Sequence, residues 1–178
     1  QHGRRSTVPL PIVPCQFTAR TDAGDLLWPR RWPRPDEPVS EYLFCSSSFR
    51  FGEAVLPFSV LFAPRELYLR ELPRCTQARH DDLDWLIRAT SHSDVGIDPV
   101  PDAGPLAIWH REHRSHRTPS PDWRPSLDWV RSYPEFITPR ARSAFILRWT
   151  GNVAASRRQW DAFWPILTAA LREGRPAA

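Results

Sequence analysis

The sequence predicts a mainly α protein in which several short helices are joined by long proline-rich extended segments, with little β structure. Three observations carry that expectation. Twenty of the 178 residues are proline and they cluster; each removes a backbone donor and biases the residue before it away from the α region. Short apolar stripes at helical spacing recur between residues 39 and 90. The C-terminal third carries helix start and stop signals in matched pairs. The expected organisation is an extended arm over 1–38, a short-helix region over 39–90, an irregular His/Arg/Pro-rich loop region over 91–137 and a C-terminal helical hairpin over 138–178.

In the arm, "TVPLPIVPCQF" and "WPRRWPRPDEP" hold seven prolines, at 9, 11, 14, 29, 33, 35 and 38. The pattern argues against a regular sheet interior and for a strap lying on a surface. Trp28 and Trp32, flanking Arg30 and Arg31, are its anchors, through burial and cation–π contact.

The short helices follow. In "DEPVSEYLFCSSS", Pro38 falls near a first turn with acids at the positive helix end. "APRELYLRELP" is bracketed by Pro64 and Pro73, with Leu67, Tyr68 and Leu72 on one stripe. In "RHDDLDWLIRAT", Asp81 is an N-cap candidate and Leu83, Leu86 and Ile87 form the apolar face. Residues 91–125 read as loop, with "PLAIW" as a possible short strand.

The C-terminal signals are the clearest. "TPRARSAFILRWTG" has Thr138 as N-cap, Pro139 at the first helical position and Gly151 just past the end. In "SRRQWDAFWPILTAALREG", Ser156 and Gln159 have capping-box spacing and Gly174 closes the helix. Trp160, Phe163, Trp164, Leu167 and Leu171 share one wide aromatic face. Pro165 should kink or split that helix near Asp161. Phe163 and Leu167 are expected in the core, against Phe145 and Trp149, and Trp160 and Trp164 are candidates for a partner contact, with Arg157 and Arg158 at the rim.

Composition narrows the context. The basic set is entirely arginine, methionine is absent and Asn152 is the sole asparagine, the pattern of a GC-rich coding sequence. Net charge is +4, unevenly placed: residues 1–102 hold 12 arginines and 14 acids, and residues 103–178 hold 12 arginines and six acids. The basic C-terminal half suits an acidic protein surface or lipid headgroups; so modest a net charge disfavours a nucleic-acid role. The longest apolar run, Ala54–Ala63, is half the length a membrane helix needs, so no transmembrane segment is expected.

Candidate chemistry is sparse. "WHREHRSH" places His110, His113 and His116 three apart with Glu112 among them. On a helix they drift about 60° per step, and on a strand His113 opposes the other two. Neighbouring arginines repel a cation, so no metal is expected there. "HDDLDW" lacks the glycine and distal glutamate of a calcium loop and reads as an acidic helix start. No P-loop, G-x-G-x-x-G or G-x-S-x-G is present. Cys45, beside Ser46, Ser47 and Ser48, has no histidine at a telling spacing. The odd set Cys15, Cys45 and Cys75 argues against a disulfide framework.

These readings converge on a non-catalytic structural accessory subunit of a large multi-protein assembly, without cofactor or metal, whose partners are other protein subunits, with possible membrane-surface contact. A mitochondrial respiratory-chain complex or ATP synthase is the favoured example, reached after removal of a targeting peptide, an expectation drawn from the basic, methionine-free start. The alternatives are an organellar ribosomal protein contacting rRNA, and an autonomous enzyme or binding domain of the bacterial cytoplasm using segment 110–116.

Overall fold

A computed structural model describes residues 8–46, 52–74, 80–100, 104–110 and 122–174. The elements in chain order are β1 (Leu10–Pro14), β2 (Gln16–Thr21), β3 (Gly24–Trp28), α1 (Val39–Phe44), β4 (Leu61–Phe62), α2 (Arg65–Arg70), α3 (Asp81–Ala89), β5 (Val95–Ile97), β6 (Pro105–His110), α4 (Arg124–Arg131), α5 (Pro139–Phe145), α6 (Gly151–Ser156) and α7 (Phe163–Glu173). A π-helical stretch, Ile146–Thr150, joins α5 to α6, and a 3-10 turn, Trp160–Ala162, leads into α7. Helix takes 45% and strand 19%, in two mixed three-stranded sheets, so the fold is α/β and the mainly α expectation is corrected. The chain forms two compact units.

The first unit holds described residues 8–33, 52–74, 81–100 and 104–110. Its sheets have strand orders β4-β1-β5 and β3-β2-β6. In each, the strand from the N-terminal stretch is central, with one antiparallel and one parallel neighbour. The prolines expected to forbid this are accommodated by staggered pairing. β5 pairs with Leu10, Pro11 and Ile12, whereas β4 pairs with Val13 and Pro14. Leu10 donates to the Asp94 carbonyl and Ile12 accepts from Asp98, so residues 10, 12 and 14 turn their backbone groups toward β5. The missing N–H of Pro11 therefore points to the β4 side, where β4 has not begun, and that of Pro14 to the β5 side, where β5 has ended. Each proline occupies a locally unpaired edge, the one place a sheet tolerates it.

The core of this unit gathers Cys15, Phe17, Ala19, Trp28 and Val60. Trp28 meets Phe17 at 6.0 Å and Trp109 at 5.8 Å between ring centroids, edge-on in both cases. Gly52, at φ +88°, lies flat against the indole: a Cβ there would sit 1.9 Å from Trp28 Nε1. On α3, Trp85 stacks on Tyr68 at 4.9 Å and donates from Nε1 to the Glu71 carbonyl at 2.7 Å. Asp81 is the first helical residue of α3, with Asp82 and Asp84 completing an acidic first turn.

The second unit holds described residues 34–46, 80 and 122–174 and is all helical. Its helix starts follow the sequence closely. Thr138 caps α5, its Oγ1 accepting from Ala141 N–H at 3.2 Å, with Pro139 at the first position. Thr138 Oγ1 also donates to Glu41 Oε1 at 2.9 Å, and Arg140 pairs with Glu41 Oε2 at 3.2 Å, which ties α1 to the start of α5. The core is aromatic: Phe44 lies 5.0 Å from Phe145, and Trp129 lies 5.1 Å from Phe145. His80 enters this cluster at 4.9 Å from Trp129, its Nε2 2.9 Å from Ser126 Oγ.

Two C-terminal expectations are corrected. Gly151 does not end the helix: its φ is −61°, and α5, the π stretch and α6 run on as one rod to Ser156. Ser156 is not a cap for the next helix, since its hydroxyl donates back to the Val153 carbonyl at 2.8 Å. Pro165 falls in the first turn of α7, where no intrahelical donor is required, and the residues around Asp161 form the separate 3-10 turn Trp160–Ala162, a split where the proline predicts one.

Candidate functional site

The rod from Pro139 to Ser156 reverses through residues 157–159 and packs against α7. Near the reversal the two helices diverge into an open apolar groove. One wall is built from Leu147, Gly151, Ala154 and Ala155, and the other from Trp160, Phe163, Ile166 and Leu167. The space between them, counted together with the open solvent at its mouth, is about 510 Å³. The sequence makes this shape directly. Small residues at positions 151, 154 and 155 leave the helix backbone uncovered on one side, and aromatic rings stand opposite. A Cβ on Gly151 would meet the Ile146 carbonyl oxygen at 3.8 Å, an ordinary contact, so this wall of the groove is open.

The aromatic wall is exposed. Trp160 is 71% accessible, Trp164 68% and Phe163 57%. The expected core burial of Phe163 is thereby overturned, while Leu167 is half-buried. The unit fills its core along the inner face of α7 with Ile166, Ala169 and Ala170 instead. Those small side chains let α7 approach α5 so closely that a Cβ on Gly174 would meet the Pro139 carbonyl oxygen at 2.4 Å. The large rings of Trp164 and Phe163, two and three positions before Ile166, are left outside. Trp164 packs edge-on against Phe163 at 5.1 Å and stands beside the groove.

Charge frames the closed end. Arg157, Arg158 and Gln159 donate their backbone N–H groups to the Ala154, Ala155 and Ala154 carbonyls, at 3.1, 3.0 and 3.0 Å. Arg158 holds φ +55°, a left-handed position that favours glycine. The exposed side chains of Arg148, Arg157 and Arg158 make no ion pair among the described residues.

Of the other sequence candidates, Trp28 is fully buried within its own unit and Trp32 is half-buried. His110 ends β6, exposed, on the sheet row of Arg20 and Asp25. Arg20 forms a bidentate pair with Asp25, both bonds 3.1 Å, which holds the Asp25 carboxyl below its ordinary range. His113 and His116 lie outside the described residues, as do Cys75, Ser47 and Ser48. Among the described residues no three His, Cys, Asp or Glu side chains converge as a metal site would need. Cys15 and Cys45 are free and buried, and burial pushes both thiols above their ordinary pKa. A thiol held protonated is a poor nucleophile. No described helix is long and apolar enough to cross a membrane.

Sequence reasoning singled out Trp160, Phe163 and Leu167, which line the groove, and Arg157 and Arg158, which are exposed just ahead of it in the chain. It missed Leu147, Arg148 and the small-residue wall, because Gly151 read as a terminator. The signal was present in "GNVAA", where 151, 154 and 155 share a helical face.

No protein-family model matches the chain, and neither curated proteins nor solved structures give a significant match to it.

Proposed function

We propose that the chain is a non-catalytic accessory subunit of a larger protein assembly and docks on a protein partner through its helical unit. The observation that carries this reading is the exposure of Trp160, Phe163 and Trp164 together along one face. A side chain of this kind covers ~200 Å², so three rings about two-thirds exposed leave ~400 Å² of aromatic surface in water. That is the scale at which a patch on a folded chain is commonly an interaction site. Burying it would supply ~10 kcal/mol at about 25 cal/mol per Å², enough to offset much of the ~4–15 kcal/mol lost on association.

Trp and Arg are also the residue types that dominate binding energy at protein interfaces, and here they adjoin. The test is co-purification from the native host with a tagged chain carrying Trp160→Ala and Trp164→Ala. The expected result is loss of a stoichiometric protein partner with an unchanged circular dichroism spectrum. A variant that retains every partner, or a wild-type chain that purifies with none, would overturn the proposal.

A further inference from the structure

We infer that the groove between the 139–156 rod and α7 takes an amphipathic helix with acidic flanks, supplied by a different protein; this rests on the docking reading above and names its ligand. The shape argues for a helix. The small-residue wall of Gly151, Ala154 and Ala155, facing the wall of Trp160, Phe163 and Leu167, accepts a ridge of side chains at i, i+3, i+4 and i+7, as one helix fills the groove of another. A bilayer is flat and would leave the space between the walls unfilled.

The charge argues for acidic flanks. Arg157 and Arg158, exposed and in no ion pair among the described residues, directly precede Gln159 and Trp160 of the groove lining. Carboxylates flanking an apolar ridge would meet guanidiniums that have no ion-pair partner among the described residues. A second copy of this chain is a worse occupant. A two-fold contact uses the same patch twice and would set the arginines of one protomer against those of its mate.

The experiment uses the full chain and two fluorescent synthetic helices of about five turns. Both carry Leu and Phe at the i, i+3, i+4 and i+7 positions; one has Glu along the flanks and the other Lys. Anisotropy should show the Glu peptide binding about tenfold or more tightly than the Lys peptide, with the gap closing at high salt. The double charge reversal Arg157→Glu with Arg158→Glu should invert the order. Ala155→Trp, which fills the groove from an exposed position, should abolish binding of both; Gly151→Leu serves if that variant fails to fold.

Equal affinity for the two peptides, or binding that survives both groove-filling variants, would overturn the inference. So would sedimentation showing self-association that Ala155→Trp removes, or binding to phosphatidylglycerol vesicles without binding to either peptide. If the peptides fail while co-purification still depends on Trp160 and Trp164, the helix is the wrong ligand and the docking face stands. If co-purification is also indifferent to those rings, both readings fall together.

Discussion

Arg88 Nε donates to Asp84 Oδ2 across 3.0 Å, one turn apart on α3, with only 7% and 3% of the two side chains exposed. The same guanidinium pairs with Glu71 and donates from Nη2 to the Leu72 carbonyl at 2.9 Å. Glu71 in turn bonds His92 Nε2 at 2.9 Å. The chain that leaves α2 is thus fastened to α3 by one arginine. Replacing Arg88 by Met keeps the stem and leaves Asp84 buried without its charge partner. Loss of one member of a buried pair costs about 3–5 kcal/mol. Chemical denaturation should show a loss of that size, partly recovered in the Arg88→Met, Asp84→Leu double variant. A loss under about 1 kcal/mol would show that the pair is dispensable.

The same network sets an acid limit. Burial pushes the Glu71 carboxyl up, but the bond from His92 and the charge of Arg88 outweigh it, so its pKa lies below the ordinary value. A carboxyl depressed in the folded state lends stability that is fully present above its unfolded pKa of about 4.3 and is lost as pH falls through the folded value. Asp94, held low by its bidentate pair with Arg70, acts in the same direction. Thermal midpoints should therefore fall as pH drops below about 5. The deficit of Glu71→Gln relative to wild type should shrink over the same range, since protonation removes what the substitution removed. A deficit constant with pH would show that the charge of Glu71 does not matter.

Two glycines should respond to alanine with opposite signs. Gly151 has helical dihedrals, and the nearest atom a Cβ would meet is the Ile146 carbonyl oxygen at 3.8 Å. Gly151→Ala should stabilise by about 0.5–1 kcal/mol through helix propensity alone. At Gly174 the backbone is extended, but a Cβ would lie 2.4 Å from the Pro139 carbonyl oxygen and 2.7 Å from the Ser143 nitrogen. Neither backbone atom can move without shifting α5, so Gly174→Ala should cost about 1–3 kcal/mol. Denaturation midpoints moving the same way in both variants would contradict the packing of α7 on α5.

These glycines also show what the sequence could reveal. Helix starts were legible at Thr138 with Pro139, at Pro64 before α2 and at Pro38 before α1, though not at Ser156. Helix ends were legible only in part: Gly174 does close α7, but Gly151 looks identical whether the chain turns after it or a π stretch carries the helix through. The sheets failed for a related reason. Pro11 and Pro14 forbid a strand paired on both sides along its length, and nothing local says that β4 and β5 divide β1 between them. The aromatic stripe of α7 was visible, but its direction was not. Which face is buried depends on Ala169 and Ala170 meeting α5, a tertiary fact.

That direction gives the sharpest contrast between stability and assembly. Trp164 is 68% exposed and touches Phe163, itself a surface ring, so Trp164→Ala removes little that is buried. The isolated chain should lose less than about 1 kcal/mol, as surface substitutions do. Phe145 is fully buried, with Phe44 at 5.0 Å, Trp129 at 5.1 Å and Trp149 stacked at 6.1 Å. Phe145→Ala opens a cavity at the centre of that cluster and should cost about 3–5 kcal/mol. The two variants should then separate in the cell. Phe145→Ala should lower the amount of folded chain, while Trp164→Ala should leave folding intact and weaken association, because an interface ring contributes only once a partner covers it. If Trp164→Ala instead cost several kcal/mol in the isolated chain, α7 would be burying the opposite face, and the groove beside it would not exist.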